Sequence, residues 1–469
     1  MNKQRTKDKG QRTFDKGQRT FDKVQMTVSR RICLGFMAAI LTGAILLTLP
    51  ISTADGEWGS FVTALFTSTS AVCVTGLVVV DTGTYFSSFG QGTIALLIQI
   101  GGLGYMTASS FLLLLLGRKF RLRDKVALQQ SFDKPGMAGV LELVRSIIIA
   151  TLIIEAAGVF LLMLVFKPEY GSGRGLWMSV FHSISAFNNA GFGLLPDNLM
   201  QYVTSPIINF TITGLIILGG IGYDTIVESY RWVLNRLKGR PQRQVFSLQF
   251  KVATTTTLFL LIFGTILFFY TEIGNQATLE PLTIGSQVMA AWFQSVTCRT
   301  AGFNTIDIGK MTAAGIFVSI ILMFIGACPG STGGGIKTTT ARVLFKTTQT
   351  VIEGRTQVLC YQRQIPSELV LKAVGVVVGS LMVATISSTL IAISDPTISP
   401  IAIIFEVVSA FATVGLSMGI TASLSTFAKL VLVGTMYIGR VGVLLLLSAI
   451  LGEPTPSALR YPDEEILVG

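Results

Sequence analysis

The stretch that decides the fold is FTSTSAVCVTGL at 66–77. Its pattern returns as FHSISAFNNAGF at 181–192, FQSVTCRTAGF at 293–303 and FEVVSAFATVGL at 405–416. Each copy has a phenylalanine (Phe66, Phe181, Phe293, Phe405) and, four residues on, a serine or threonine (Ser70, Ser185, Thr297, Ser409). After four or five more residues comes a glycine followed by Leu or Phe (Gly76, Gly191, Gly302, Gly415). These glycines recur every 111–115 residues. One Gly-Leu pair means nothing, but the same pattern four times at a regular period is a repeat architecture.

The chain around these segments is apolar. Of 469 residues, half are hydrophobic and only 13% are charged, against about 25% in ordinary soluble proteins; mean hydropathy is +0.64. This composition excludes a soluble globular enzyme, a disordered chain and a collagen-like fibre, and specifies a polytopic membrane protein. Eight stretches approach the roughly 20 apolar residues of a bilayer-crossing helix: 32–49, 93–116, 146–166, 207–227, 252–270, 313–350 (interrupted), 369–393 and 427–451. Between alternate spans lie half-apolar stretches near 60–71, 177–187, 287–297 and 400–410. They are too short to cross, so they are expected to be re-entrant half-helices. The unit is span, half-helix with glycine turn, span, over 32–117, 138–230, 249–350 and 368–452. The expected fold is an all-α membrane protein of four tandem repeats around one pseudo-fourfold pore.

Charge placement gives the orientation. The formal net charge is +11, and 28 of the 36 Lys/Arg fall in 1–31, 118–134, 231–251 and 337–372. The opposite loops hold Lys167, Arg174, Arg299, Lys310 and Lys429. By the positive-inside rule the first set is cytoplasmic, with both termini inside a cytoplasmic membrane. The basic balance is therefore topology, and nucleic acid falls away as a partner. The tail 1–31 repeats DKGQRTF at 8–14 and 15–21; it reads as a solvated basic tail near anionic lipid rather than a signal peptide or a docking arm. Residues 453–469 form a short cytoplasmic C-terminal tail. The five cysteines lack CxxC spacing and are odd in number, which favours apolar packing over disulfides or zinc.

A cation leaving water needs replacement oxygens, and rings of backbone carbonyls supply them. Aiming carbonyls at an axis requires backbone angles that glycine reaches without a Cβ clash. The candidate filter is Val74, Thr75 and Gly76; Asn189, Ala190 and Gly191; Thr300, Ala301 and Gly302; and Thr413, Val414 and Gly415. Half-helix C-termini aimed at this axis would favour a cation. The turns hold no carboxylate ring, which suits a fast-exchanging monovalent ion better than a tightly held divalent one. The alternative, that the glycines only end buried half-helices, leaves the fourfold recurrence unexplained.

The motifs VTGL (74–77), NNAGF (188–192), RTAGFN (299–304), ATVGL (412–416), IQIGGLGYMT (98–107), STGGGIKT (331–338) and YIGR (437–440) carry a resemblance over about 30–469. The chain resembles the Trk/Ktr/HKT superfamily of potassium transporters and is most similar to the bacterial Ktr-type membrane subunit. The resemblance implies potassium uptake through one pore per subunit, a homodimer, and a cytosolic ring of nucleotide-binding regulatory subunits. It also implies K+, with Na+ as a further transported or coupling ion, and no covalent cofactor. In that family a serine at the first filter glycine accompanies sodium preference, so Gly76 favours potassium.

Two features read as a gate. The sixth span is interrupted by GACPGSTGGGI at 326–336, whose glycines and proline a helix disfavours. Irregular backbone at that depth should line a cavity. Gly326, Pro329, Gly330, Ser331, Thr332, Gly333, Gly334 and Gly335 are therefore the expected flexible loop below the filter. Its likeness to a phosphate-binding loop fails because Ile336 separates Gly335 from Lys337. Arg440, midway along an apolar span, is costly there and marks function. Facing the pore it would raise the barrier for cations, the role the resemblance implies; the alternative is a buried carboxylate partner, with Glu155 the obvious acid. Glu155 itself reads as structural rather than a proton relay. His182 reads as a packing residue rather than a pH sensor, Asn188 and Asn189 as braces of the second turn, and Asp224 as the inner membrane edge. The chain is expected to be a transporter and not an enzyme. The rivals are a sodium-selective or mixed transporter of the same fold and a non-conducting sensor or scaffold.

Overall fold

The computed structural model describes residues 28–115, 140–238 and 246–451. The repeated tail up to residue 27, the basic loop 118–134, residues 239–245 of the loop 231–251 and the C-terminal tail 453–469 lie outside the described residues.

Each repeat begins with one long helix: α1 (Val28–Thr48), α4 (Val140–Tyr170), α8 (Leu248–Glu272) and α12 (Ser367–Ser394). Segments of all four are long and apolar enough to cross a membrane. Each is followed by a half-helix: α2 (Phe61–Val72), α5 (Ser172–Phe187), α9 (Ile284–Thr297) and α13 (Pro400–Phe411). The second spans are α3 (Ser88–Leu115), α6 (Pro206–Gly220) with α7 (Tyr223–Leu237), α10 (Ala313–Phe324) with α11 (Thr338–Ile352), and α14 (Thr426–Val441) with α15 (Val443–Leu451). A two-stranded hairpin, β1 (Leu359–Cys360) and β2 (Arg363–Gln364), joins α11 to α12.

The second spans correct the sequence reading. Only 313–350 is interrupted in the hydropathy pattern, yet all four second spans are broken. α3 is kinked at Gly104 (φ 78°, ψ 151°). α6 and α7 meet at 105°, and α14 and α15 at 93°. The residues between those pairs include Gly222 (φ 94°) and Gly442 (φ 90°). Glycine takes this left-handed region without the Cβ penalty of other residues. Apolar residues flank each break, so hydropathy cannot see it. The break orphans the last carbonyls of α6, and loop amides take them: Thr332 N donates to Gly219 O (3.2 Å) and Cys328 N to Gly220 O (3.0 Å).

The half-helices are locked to the long spans by a serine two residues after the phenylalanine. Ser68, Ser183 and Ser295 donate to Ile40 O (2.7 Å), Glu155 O (2.7 Å) and Leu261 O (2.8 Å). A glycine three residues further along each span (Gly43, Gly158, Gly264) makes room for that hydroxyl. The fourth repeat has Val407 there and lacks the lock. Phe66, Phe181, Phe293 and Phe405 are all fully buried. Each second span then packs on the next repeat's half-helix: α3 on α5, α6 on α9, α10 on α13 and α14 back on α2. The four repeats thus close a ring. Leu152, Ile153 and Phe160 on α4 and Met382 and Ile386 on α12 are exposed, as lipid-facing positions of an outer span would be.

Candidate ion pathway

Every half-helix runs into its glycine turn in the same way. The turn amides fold back on the helix end: Thr75 N, Ala190 N and Val414 N donate to Ser70 O, Ser185 O and Ser409 O at 2.7–2.8 Å, and Ala301 N to Thr297 O at 3.0 Å. The hydroxyls of Ser70, Ser185, Thr297 and Ser409 tie down the chain that leaves each turn. Ser70 Oγ accepts from Gly76 N (3.0 Å) and Ser409 Oγ from Gly415 N (3.1 Å). Ser185 Oγ donates to Phe192 O (2.8 Å) and Thr297 Oγ1 to Phe303 O (2.5 Å). This is why the pattern demands a hydroxyl at that position.

The backbone of the turns is left-handed twice. Val74, Asn189, Thr300 and Thr413 have φ of 56°, 60°, 66° and 51°, and the glycines two residues later have φ of 95°, 72°, 76° and 93°. Four non-glycine residues in a sparsely populated region, one per repeat at one register, make these turns the candidate functional site. The turns also converge. A methyl built on Gly191 would come 2.7 Å from Ala301 O, and one on Gly302 2.6 Å from Val414 O. A methyl on Gly76 would overlap Ala190 O, and one on Gly415 would overlap Thr75 O. Each glycine thus abuts the carbonyl of the next repeat's turn, and the fourth abuts the first. Thr75, Ala190, Ala301 and Val414 are fully buried. On one side the four glycines line a single cavity of about 330 Å³, with Asp81 and Asp197 on its wall.

On the other side lies the 326–336 loop. It is folded on itself, Gly326 N donating to Ile336 O (2.9 Å) and Ala327 N to Gly334 O (3.2 Å). Three consecutive residues each meet a different turn. Thr332 Oγ1 lies 3.1 Å from the Asn189 side chain. A methyl on Gly333 would overlap Thr300 Oγ1, and one on Gly334 would overlap Thr413 Oγ1. Asn189 itself, with its amide turned to satisfy its neighbours, donates to Phe187 O (3.2 Å), Ile216 O (3.3 Å) and Thr332 Oγ1. The loop therefore presses on turns two, three and four.

Three cations hold this loop by its carbonyls. Arg440 donates to Thr332 O and to Gly101 O of α3. Lys337 Nζ donates to Gly333 O (2.7 Å) and Arg299 Nη2 to Gly326 O (3.3 Å). Among the described residues none of the three forms an ion pair with a carboxylate. Arg440 and Glu155 do not pair. Glu155 instead faces Gln99 Nε2 (3.4 Å) and Asn188 Nδ2 (3.0 Å), and Asn188 also donates to Gln99 Oε1 (2.8 Å). Arg440 sits beside the break in its span, one residue before α14 ends at Val441. The sequence reading places Arg299 in an outer loop. It is 6% exposed and sits in the third turn, where the only signal is its place directly before TAGF. In the sequence Lys337 counts as a topological charge and as part of the motif STGGGIKT, with no sign of its hold on the loop. All five cysteines are buried and free.

Four membrane-embedded repeats closed around converging glycine turns define a multi-pass membrane transporter built for ions, a class distinct from enzymes. The chain belongs to the TrkH family, described as cation transport protein, whose model matches residues 16–457. It is 40% identical over 439 residues to the Ktr system potassium uptake protein B of Bacillus subtilis, covering 93% of this chain and 96% of the relative. It is 38% identical over 443 residues to the potassium/sodium uptake protein NtpJ of Enterococcus hirae, covering 93% and 96%. The crystal structure of the potassium transporter TrkH from Vibrio parahaemolyticus shares the fold, with a TM-score of 0.69 at 19% identity over 90% of this chain and 85% of that one.

Proposed function

We propose that the chain is the ion-translocating membrane subunit of a potassium uptake system. Ions enter from the side of the 330 Å³ cavity. They shed water against the carbonyls of Thr75, Ala190, Ala301 and Val414 and pass the loop 326–336 and Arg440 into the cytoplasm. The carrying observation is the cyclic abutment of Gly76, Gly191, Gly302 and Gly415 on those carbonyls. Electrostatics supports the direction: carboxylates at the outer mouth attract cations, and three cations on the inner side oppose their passage while the loop is in place. The loop with Arg440 is the gate, and its release from turns two to four is the opening step. Four repeats over 32–117, 138–230, 249–350 and 368–452 form one functional unit, with both termini cytoplasmic. A homodimer and a cytosolic nucleotide-binding regulatory ring complete the system; a relative named as part of a Ktr system fits a multi-component assembly.

A second reading, sodium-coupled or mixed potassium and sodium transport, is favoured by the relative named for both ions. The test is rubidium and sodium uptake in a bacterial strain lacking its own potassium uptake systems, with the regulatory ring co-expressed, comparing the parent with Gly76→Ser. Potassium-selective uptake that weakens or shifts toward sodium in the variant supports the filter. Uptake indifferent to the substitution refutes it. Parental uptake that needs sodium selects the second reading.

A further inference from the structure

Directly after each motif phenylalanine stands a polar residue: Thr67, His182, Gln294 and Glu406. All four are at most 1% exposed, and the pathway described above uses none of them. Their environments differ in a way that tracks the strand leaving each glycine turn. In repeats one and three that strand is fixed locally by an aspartate five residues after the glycine. Asp81 caps the short helix Thr82–Tyr85 by accepting from Thr84 N (2.8 Å), and Asp307 caps Ile308–Lys310 by accepting from Gly309 N (3.0 Å). There the half-helix residue has little to do: among the described residues Thr67 Oγ1 has no hydrogen-bond partner, and Gln294 reaches only the sulfurs of Cys298 and Met311.

In repeats two and four the local cap is missing. The short helices Met200–Tyr202 and Thr421–Ser423 begin behind Leu199 and Ile420, neither of which can cap. In both, the half-helix residue reaches the outgoing strand instead. His182 Nε2 lies 3.5 Å from Leu194 N. Glu406 Oε1 accepts from Ser417 Oγ (3.0 Å) and from Thr421 Oγ1. Ser417 and Thr421 both line the outer cavity beside Gly415, and Ser417 Oγ also receives Gly419 N (2.9 Å). Glu406 is the strongest of these straps, the sole carboxylate among the four and bonded to two hydroxyls, Ser417 and Thr421, of the segment that leaves the fourth turn.

We propose that Glu406 is a positioning residue for ion selectivity, fixing from within α13 the outer strand of the fourth turn and so the Val414–Gly415 carbonyls. It acts through Ser417 and Thr421 and does not itself touch the ion. The proposal rests on the reading of the turns as the filter.

The experiment measures the potassium-to-sodium uptake ratio in cells, with the amount and thermal stability of detergent-extracted protein recorded for each variant. Glu406→Gln keeps an acceptor oxygen and holds the ratio within about twofold of the parent. Glu406→Leu removes both acceptors and lowers the ratio by about tenfold, the size expected from losing one or two hydrogen bonds. The double change Ser417→Ala with Thr421→Val breaks the same strap from the other end and lowers it similarly. It decides the matter alone if Glu406→Leu does not accumulate. A parental ratio in that double variant overturns the positioning role. So does a Glu406→Gln variant as damaged as Glu406→Leu, since charge rather than hydrogen bonding would then be at work. Gly415→Ala is the control on the filter. A parental ratio there sinks the filter reading itself, whereas an altered ratio there beside a parental ratio in the double variant sinks only the role of Glu406.

Discussion

Gly302→Ala tests the ring most sharply. Gly302 has φ of 76°, and an added methyl would stand 2.6 Å from Val414 O, 3.0 Å from Gly191 Cα and 3.2 Å from Gly415 Cα. All three contacts are backbone atoms of neighbouring turns, so no side chain can swing away. The left-handed conformation alone costs alanine roughly 1–2 kcal/mol. Relief of the overlap must push the Val414 carbonyl aside by several tenths of an ångström. Interactions of one oxygen with a charged partner are worth about 1.5–3 kcal/mol. If these carbonyls replace the ion's hydration as proposed, losing one slows transport by roughly 13- to 160-fold at 1.36 kcal/mol per decade. Gly434→Ala is the matched control. Gly434 lies inside α14, and nothing stands within 4 Å of an added methyl. There alanine gains up to about 1 kcal/mol of helix propensity, and uptake should stay at the parental level. The assay is the initial rate of rubidium uptake per molecule of protein in the membrane. A Gly302→Ala variant that transports like the parent at equal abundance would refute the claim that the turns meet at one ion path.

Two further outcomes rest on the same geometry. Arg440→Gln removes a positive charge beneath the turns and one anchor of the loop at Thr332 O. At about 8 Å and an effective dielectric near 20 that charge opposes a monovalent cation by roughly 2 kcal/mol. Uptake should therefore rise, by up to about 30-fold, and become less dependent on the regulatory partner; a fall in flux at normal abundance would contradict the barrier role. Glu272→Ala should act on stability and leave selectivity alone. Glu272 is fully buried at the end of α8 and accepts from Thr312 N (3.0 Å), Thr312 Oγ1 (2.7 Å), Asn275 Nδ2 (2.8 Å) and Thr278 Oγ1 (2.8 Å). Stranding these donors costs about 2–4 kcal/mol. A lowered melting temperature in detergent with an unchanged potassium-to-sodium ratio is the expected result, and a shifted ratio would place Glu272 in the ion path.

The repeat, the half-helices and the position of each glycine turn are legible in the chain alone, because all three are local. A period of 111–115 residues survives without knowledge of contacts, and a half-helix too short to cross a bilayer betrays itself by length. The requirement for glycine is legible too, since left-handed backbone is a property of one residue. What joins the turns is not. That Gly415 returns to Thr75, more than three hundred residues earlier, depends on the packing of α14 on α2. The breaks at Gly222 and Gly442 escape the hydropathy pattern because it scores burial in lipid and is blind to direction, and a bent helix is as apolar as a straight one. Arg299 is misread for a related reason. A charge count assigns a residue to a loop by its neighbours in the chain, whereas the third turn carries it inward to meet Gly326 O. The convergence of Arg440 and of turns two and four on the loop of the third repeat emerges only in three dimensions, because these partners come from other repeats and no local signal links them to it.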